Sequence, residues 1–177
     1  MLTIRRATAA DTDAVLDFYS KMIDEMVGTE FDIMWKHDEH PSNAFLRESI
    51  EKGYMIIGLT DEGEIATAMV VDHECAPGYE KTPWHEPDAP LDEVGIVHAV
   101  ATRPHHHGKG YARQLVNAAI ELSREVGLRA LRLDTLQNNV RGQGLYDSCG
   151  FTRLGISPIF YDDLGTIDLV MYEYVLD

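Results

Sequence analysis

The run His107-Gly108-Lys109-Gly110-Tyr111-Ala112 is the part of this sequence best equipped for chemistry. It lies between a stretch of small and branched residues, Val94 to Thr102, and a helical pattern with Ala112, Leu115, Val116, Ala119, Ile120 and Val126 on one face. A strand that enters a helix through a glycine turn leaves unpaired N–H groups and the positive end of the helix dipole facing one point. That arrangement attracts a phosphate. Glycine keeps side chains out of the anion's path. Two phosphate patterns fail here. The pattern G-x-x-x-x-G-K-S/T needs a hydroxyl after the lysine, and Lys109 is followed by Gly110; G-x-G-x-x-G needs a third glycine where Arg113 stands. The preceding His105-His106-His107 raises the question of a metal. Adjacent histidines in a turn do not easily converge on one ion, and no carboxylate stands at ligand spacing beside them, so no metal is expected.

A second segment narrows the reading. Asn139-Val140-Arg141-Gly142-Gln143-Gly144-Leu145-Tyr146-Asp147-Ser148-Cys149-Gly150-Phe151 resembles N-x-x-A-x-x-L-Y-x-x-x-G-F, with Gly142 in place of alanine. Residues 107–112 resemble Q/R-x-x-G-x-G/A, with His107 departing at the first position, and Val100-Ala101-Thr102-Arg103-Pro104 is similar to the strand end leading into that loop. Both patterns are those of the GNAT superfamily of N-acetyltransferases. The opening Ile4-Arg5-Arg6-Ala7-Thr8 with Asp11 is also similar to the family's first strand and helix, so the resemblance covers nearly the whole chain. Two motifs roughly 30 residues apart, each in its proper context, are far more specific than one hexapeptide.

The resemblance implies acetyl-CoA as donor. Backbone N–H groups from His107 through Gly108, Lys109, Gly110, Tyr111 and Ala112 to Arg113 would hold its pyrophosphate. The pantetheine arm would lie where the fourth and fifth strands part, along Val100 and Thr102, with Asn139 touching it. An amide at Val100 or Ala101 would polarise the thioester carbonyl. Tyr146 matches the family's tyrosine acid and would protonate the departing thiolate. An alkylamine with a pKa of about 10.4 must also lose a proton before it attacks. Glu93, opening the fourth strand, and His98, further along it, stand where relatives carry a base, and a water chain is a third route. Side-chain alternation puts positions 93 and 98 on opposite faces unless a bulge intervenes. The acceptor pocket is expected from Trp35 with its neighbours Phe31, His37 and His40, and from the loop at 73–91, with His73 and Trp84 among its residues. Its acidic residues favour a small cationic amine. A non-catalytic acyl-CoA-binding sensor of the same fold is the competing reading, since the loop suits both.

These residues need a scaffold, and the hydrophobic pattern supplies one. Strands are predicted at Leu2–Ile4, Tyr54–Leu59, Glu64–Asp72, Val94–Thr102, Ala130–Leu136, Phe151–Ile156 and Ile167–Val175. Helices are predicted from Thr8/Asp11 through Met26, at Pro41–Glu51, from the glycine turn to Val126, and at Asn139–Cys149; Gly127 and Gly150 close the last two. The order β-α-α-β-β-β-α-β-α-β-β implies an α/β GNAT fold: a mostly antiparallel sheet of about seven strands, about four helices, and a parallel fourth and fifth strand that splay.

The 177 residues fit one domain, 1–177. Their net charge of −15 opposes nucleic acid and anionic membranes and favours a cationic partner, a small molecule or a peptide amine. No apolar run reaches the roughly 20 residues of a membrane span, and the N-terminus lacks a secretory signal's apolar stretch, so the expected compartment is the cytoplasm. Cys75 and Cys149 match no metal or disulfide pattern. A homodimer is compatible with the sequence.

Overall fold

Apolar residues at Val15, Phe18, Tyr19, Met22, Ile23 and Met26 recur at helical spacing, and in the computed structural model, which describes residues 1–177, all six are buried on one face of α1 (Thr12–Met26). Thr8 and Asp11 enclose the short 3-10 turn that precedes this helix, with the Asp11 carboxylate accepting from the Thr8 amide at 2.7 Å and from its hydroxyl at 3.0 Å. Arg5 grips the same carboxylate with two bonds of 2.8 Å. The chain then runs through α2 (Asn43–Glu51), capped by the Ser42 hydroxyl, and the strands β2 (Met55–Leu59), β3 (Ile65–Asp72) and β4 (Val94–Thr102). With β1 (Thr3–Arg6) ahead of α1, the order continues through α3 (Tyr111–Glu125), β5 (Ala130–Leu136), α4 (Val140–Ser148), β6 (Thr152–Tyr161) and β7 (Gly165–Val175). That is the predicted order, strand for strand and helix for helix.

The seven strands form one sheet in the order β1-β2-β3-β4-β5-β7-β6. β1–β2, β2–β3, β5–β7 and β6–β7 are antiparallel; β4–β5 is parallel. The parallel register joins Val94, Gly95 and Ile96 to Ala130, Leu131 and Arg132 and ends there, early in a nine-residue strand. No helix is long and apolar enough to cross a membrane, and Cys75 and Cys149 are not joined in a disulfide.

Two compact units divide the chain. The first, Met1–Val71 with His98–Ala118, has the buried face of α1 packed with Leu46, Ile50, Met55, Ile57, Ala68 and Val70. Burying each of the larger side chains contributes about 1.5–3 kcal/mol, which is why these short strands hold. The second unit, Asp72–Val97 with Ala119–Asp177, has a core of Tyr79, Trp84, Val94, Ile96, Ile159, Leu169 and Met171. The segment read as a long loop at 73–91 thus carries two buried aromatics and a 3-10 turn, Tyr79–Lys81, and a second such turn, Leu91–Glu93, starts at its end.

Candidate active site

In the first unit, the second half of β4 changes conformation at Ala99, whose φ of 52° places it in the left-handed region. A residue with a Cβ pays about 1–2 kcal/mol to sit there. Extended strand conformation is therefore interrupted at Ala99, directly after His98. The Tyr19 hydroxyl donates to the Ala99 carbonyl at 2.6 Å, and burial pushes that phenol well up, so it remains a donor. Thr67 fastens the next turn of the strand, donating to the Ala101 carbonyl at 2.8 Å and meeting the Thr102 hydroxyl at 2.9 Å. His98 is half-buried, with its ring edge-on to Phe45 at 5.9 Å.

The glycine turn follows. Arg103 anchors it: the amide donates to the Ala66 carbonyl, and the guanidinium lies between Glu25 and Glu64, the latter at 2.8 Å. Pro104–His106 form a 3-10 turn that takes up the His107 amide, which donates to Pro104 O at 3.0 Å. The expected row of anion-binding amides therefore loses its first member. Gly108, Lys109 and Gly110 have no backbone acceptor, and the Gln114 amide is the first to close a helical bond, onto Gly110 O. The N–H groups of Tyr111, Ala112 and Arg113 belong to the helix's open first turn. Gly108 and Gly110 have φ of 77° and 74°, and a Cβ on either would meet nothing within 4 Å. Glycine is required here by backbone conformation, with space left open around the amides.

His107, at the position of a long polar side chain in the motif, turns inward. Its Nε2 donates to the Thr102 carbonyl at 2.9 Å, its ring is edge-on to Phe31 at 4.7 Å, and its buried Nδ1 has no partner. His105 and His106 turn the other way. Nε2 of each reaches the Glu64 carboxylate, at 3.2 and 3.3 Å. Glu64 is the carboxylate that sequence spacing did not supply: the β2–β3 hairpin delivers it. Burial raises its pKa, but the hydrogen bond from His106 and the charges of His106, His105 and Arg103 prevail and hold it low. Burial, then His105, pushes His106 below the ordinary imidazole value.

The same unit holds a cavity of about 310 Å³ lined by α1, α2 and the segment between them, including Asp17, Tyr19, His37 and Asp38. His37 is tied to Asp24 at 2.6 Å and to Ser20 at 3.2 Å. Trp35 does not line this cavity; it packs against the core beside Tyr19 and His40.

In the second unit, Asn139 caps α4: its Oδ1 accepts from the Gly142 amide and its Nδ2 donates to the Thr135 hydroxyl, each at 3.0 Å. A Cβ at Gly142 would stand 2.5 Å from that Nδ2, which explains the glycine where alanine was expected. Tyr146 is buried on α4 between Phe151 and Tyr172. Burial and then the charge of Asp134 push its phenol well up, so it keeps its proton at neutral pH. Asp134 accepts from the hydroxyls of Tyr79 and Tyr161, both at 2.6 Å and both on Oδ2. Sequence reasoning passed over Asp134 and Tyr161; an acid among the apolar residues of β5 was the signal available.

Glu93 does not open β4. It ends the 3-10 turn before it, its carboxylate half-exposed and 3.8 Å from Arg129. His73 uses Nδ1–H to bridge the carbonyls of Leu91 and Val94 at 3.1 and 2.8 Å, stapling the two ends of its loop. Trp84 is buried, donating to Tyr79 O at 2.8 Å beneath the Arg132 guanidinium, which is in turn paired with Glu173. It is a core anchor of the loop.

A family model described as the acetyltransferase (GNAT) family matches residues 21–151. Streptothricin acetyltransferase of Escherichia coli is 32% identical over 126 residues, 70% of this chain and 68% of that protein. A ribosomal protein bS18-alanine N-acetyltransferase of Haemophilus ducreyi is 35% identical over 71 residues, 40% of this chain and 48% of the other, so the match spans about half that relative's length. Among solved structures, yncA of Salmonella typhimurium with its cofactor acetyl-CoA shares the fold at a TM-score of 0.68 and 20% identity, covering 100% of this chain and 95% of that one.

Proposed function

The chain belongs to the acetyltransferase (GNAT) family, and we propose that it transfers an acetyl group from acetyl-CoA to a cationic primary amine by direct attack in a ternary complex. The observation that carries this reading is the row of open amides from Gly108 to Arg113 at the mouth of α3, held on left-handed glycines. Such a row, with the helix dipole behind it, suits a diphosphate. Acetyl-CoA, as substrate, brings the activated thioester.

The chain's own residues then have defined work. The Val100 and Ala101 amides are the candidates to polarise the thioester carbonyl, on the strand whose path Ala99 bends. Tyr146 supplies a proton to the sulfur as the C–S bond breaks and the C–N bond forms. Its upward-shifted phenol guarantees the protonated form. Between the two base candidates, the ion pair with Arg129 draws Glu93 away from the task, and His98, next to the left-handed Ala99, is favoured. Asp134, with Oδ2 bonded to two tyrosines and its charge felt at Tyr146, is suited to hold the acceptor's ammonium through Oδ1.

A panel of amines with acetyl-CoA, read by release of free thiol, tests the reading. Turnover with cationic amines, cut at least tenfold by Asp134→Asn, is expected. Coenzyme A binding with no thiol released from acetyl-CoA in the presence of any amine would replace the enzyme with an acyl-CoA sensor, and acceptance of neutral amines alone would remove Asp134.

A further inference from the structure

The triad of Glu64, His105 and His106 is not used by any step above, yet its donor atoms face one another across a small gap. His105 Nε2 is 3.2 Å from Glu64 Oε1, His106 Nε2 is 3.3 Å from Glu64 Oε2, and the ligand atoms all lie within 4.8 Å. In a tetrahedral zinc site the metal–nitrogen and metal–oxygen bonds are about 2.0–2.2 Å, which sets donor–donor edges of about 3.3–3.5 Å. The two histidine–carboxylate distances, one to each oxygen of Glu64, are already close to that length. We propose that Glu64, His105 and His106 form a site for a divalent cation of the zinc class, on the turn leading into the anion-binding amides.

Two imidazoles and one carboxylate make a borderline set suited to zinc, with a fourth position open to water. Access is not obstructed: the His105 side chain is 47% exposed and that of Glu64 39%. Two cations stand in competition. Arg103 bonds Glu64 Oε1 at 2.8 Å, and it has a second carboxylate, Glu25, to retain it. Lys109 Nζ is 3.2 Å from His106 Nδ1, so without metal that nitrogen is the acceptor and Nε2 carries the proton toward Glu64. Ligation through Nε2 requires the opposite tautomer. The proton passes to Nδ1, and Lys109 must leave. Lys109 belongs to the glycine turn itself, so metal entry frees one positive charge beside the open amides and places another nearby. By reciprocity, a bound diphosphate and a bound metal should each strengthen the other.

Zinc alone, titrated into the metal-stripped full-length protein without coenzyme A and followed by calorimetry or a competing chromophoric chelator, tests the site. One saturable equivalent is expected. His105→Ala and Glu64→Gln should each weaken uptake at least tenfold while thermal melts show the fold intact. Lys109→Ala should tighten it severalfold, an outcome that an unfolded variant cannot mimic. Absence of uptake, uptake indifferent to His105→Ala, or weaker uptake in Lys109→Ala would overturn the proposal. Because no acetyl-CoA or amine is present, failure here leaves the acetyltransferase reading standing, and failure there leaves this one.

Discussion

Replacing Gly142 by alanine pits two local energies against each other. Alanine in a helix is worth about 1 kcal/mol over glycine, so propensity alone predicts stabilisation. The structure predicts the reverse. The new Cβ would lie 2.5 Å from Asn139 Nδ2 and 2.9 Å from its Cγ, so the asparagine side chain must swing away. It then loses the cap to the Gly142 amide, about 1 kcal/mol, and the bond to Thr135, about another 1. Gly142→Ala should therefore destabilise by about 1 kcal/mol net, lowering the melting temperature by about 2–4 °C in a chain of this size. A double-mutant cycle isolates the cause. Asn139→Ala alone should cost about 2 kcal/mol; in that background alanine at 142 meets no amide and should recover about 1, a coupling of about 2. Melts followed by circular dichroism suffice. A rise in melting temperature for Gly142→Ala, or additive effects in the cycle, would refute the argument.

Tyr146→Phe keeps the ring among Phe151 and Tyr172 and removes only the proton donor; turnover should fall about 10²-fold with acetyl-CoA affinity unchanged, and steady-state kinetics with calorimetry will show whether it does. Gly110→Val must force a branched residue to a φ of 74°, costing about 1–2 kcal/mol; coenzyme A binding should weaken at least tenfold, and normal affinity would dissociate those amides from the phosphate. Asp11 is held below its ordinary 3.8, first by the hydrogen bond from Arg5 and then by Thr8, against burial. A carboxylate depressed in the folded state stabilises above its unfolded value, and that stability drains away as pH falls through the folded one. Asp11→Asn should thus flatten the stability profile below about pH 4 in denaturant titrations, and an unchanged acid slope would count against the Arg5 pairing.

Much of this architecture could be read from the residues because periodicity and stop signals agreed. β4 and β5 begin and end where the apolar runs do, at Val94–Thr102 and Ala130–Leu136. β6 runs past its expected end at Ile156 to Tyr161 and includes Pro158, a residue that usually interrupts a strand. It is tolerated since β6 is the sheet's edge strand, where a missing N–H faces no further neighbour. Glu93 fell one residue outside its strand because the carbonyl of Pro90 claims its amide. Trp84 resembled a pocket aromatic in sequence, whereas only the tertiary structure brings Arg132 over its ring. Glu64 is 41 positions from His105, and no local pattern announces that a hairpin will carry a carboxylate to a histidine pair. Ala99 is similarly silent: nothing about alanine advertises a positive φ.

That silent residue clarifies how the turn is built. A left-handed alanine is a cost the chain must offset, and the offsets lie within the same unit. Tyr19 bonds the carbonyl of Ala99, Thr67 that of Ala101, and Arg103 is clamped between Glu25 on α1 and Glu64 on the hairpin. Each bond satisfies a carbonyl or a charge of the strand end, and none uses an amide between Gly108 and Arg113. The donors left over are thus the open amides of the turn, carried on a strand end that is braced before any ligand arrives. An anion that meets them need not order the loop, so little of its binding energy goes into conformational entropy. Loosening the clamp should accordingly weaken coenzyme A binding without touching a single contacting amide. Arg103→Gln, which keeps hydrogen-bonding capacity and removes the charge pairs, is the variant in which that loss should appear first.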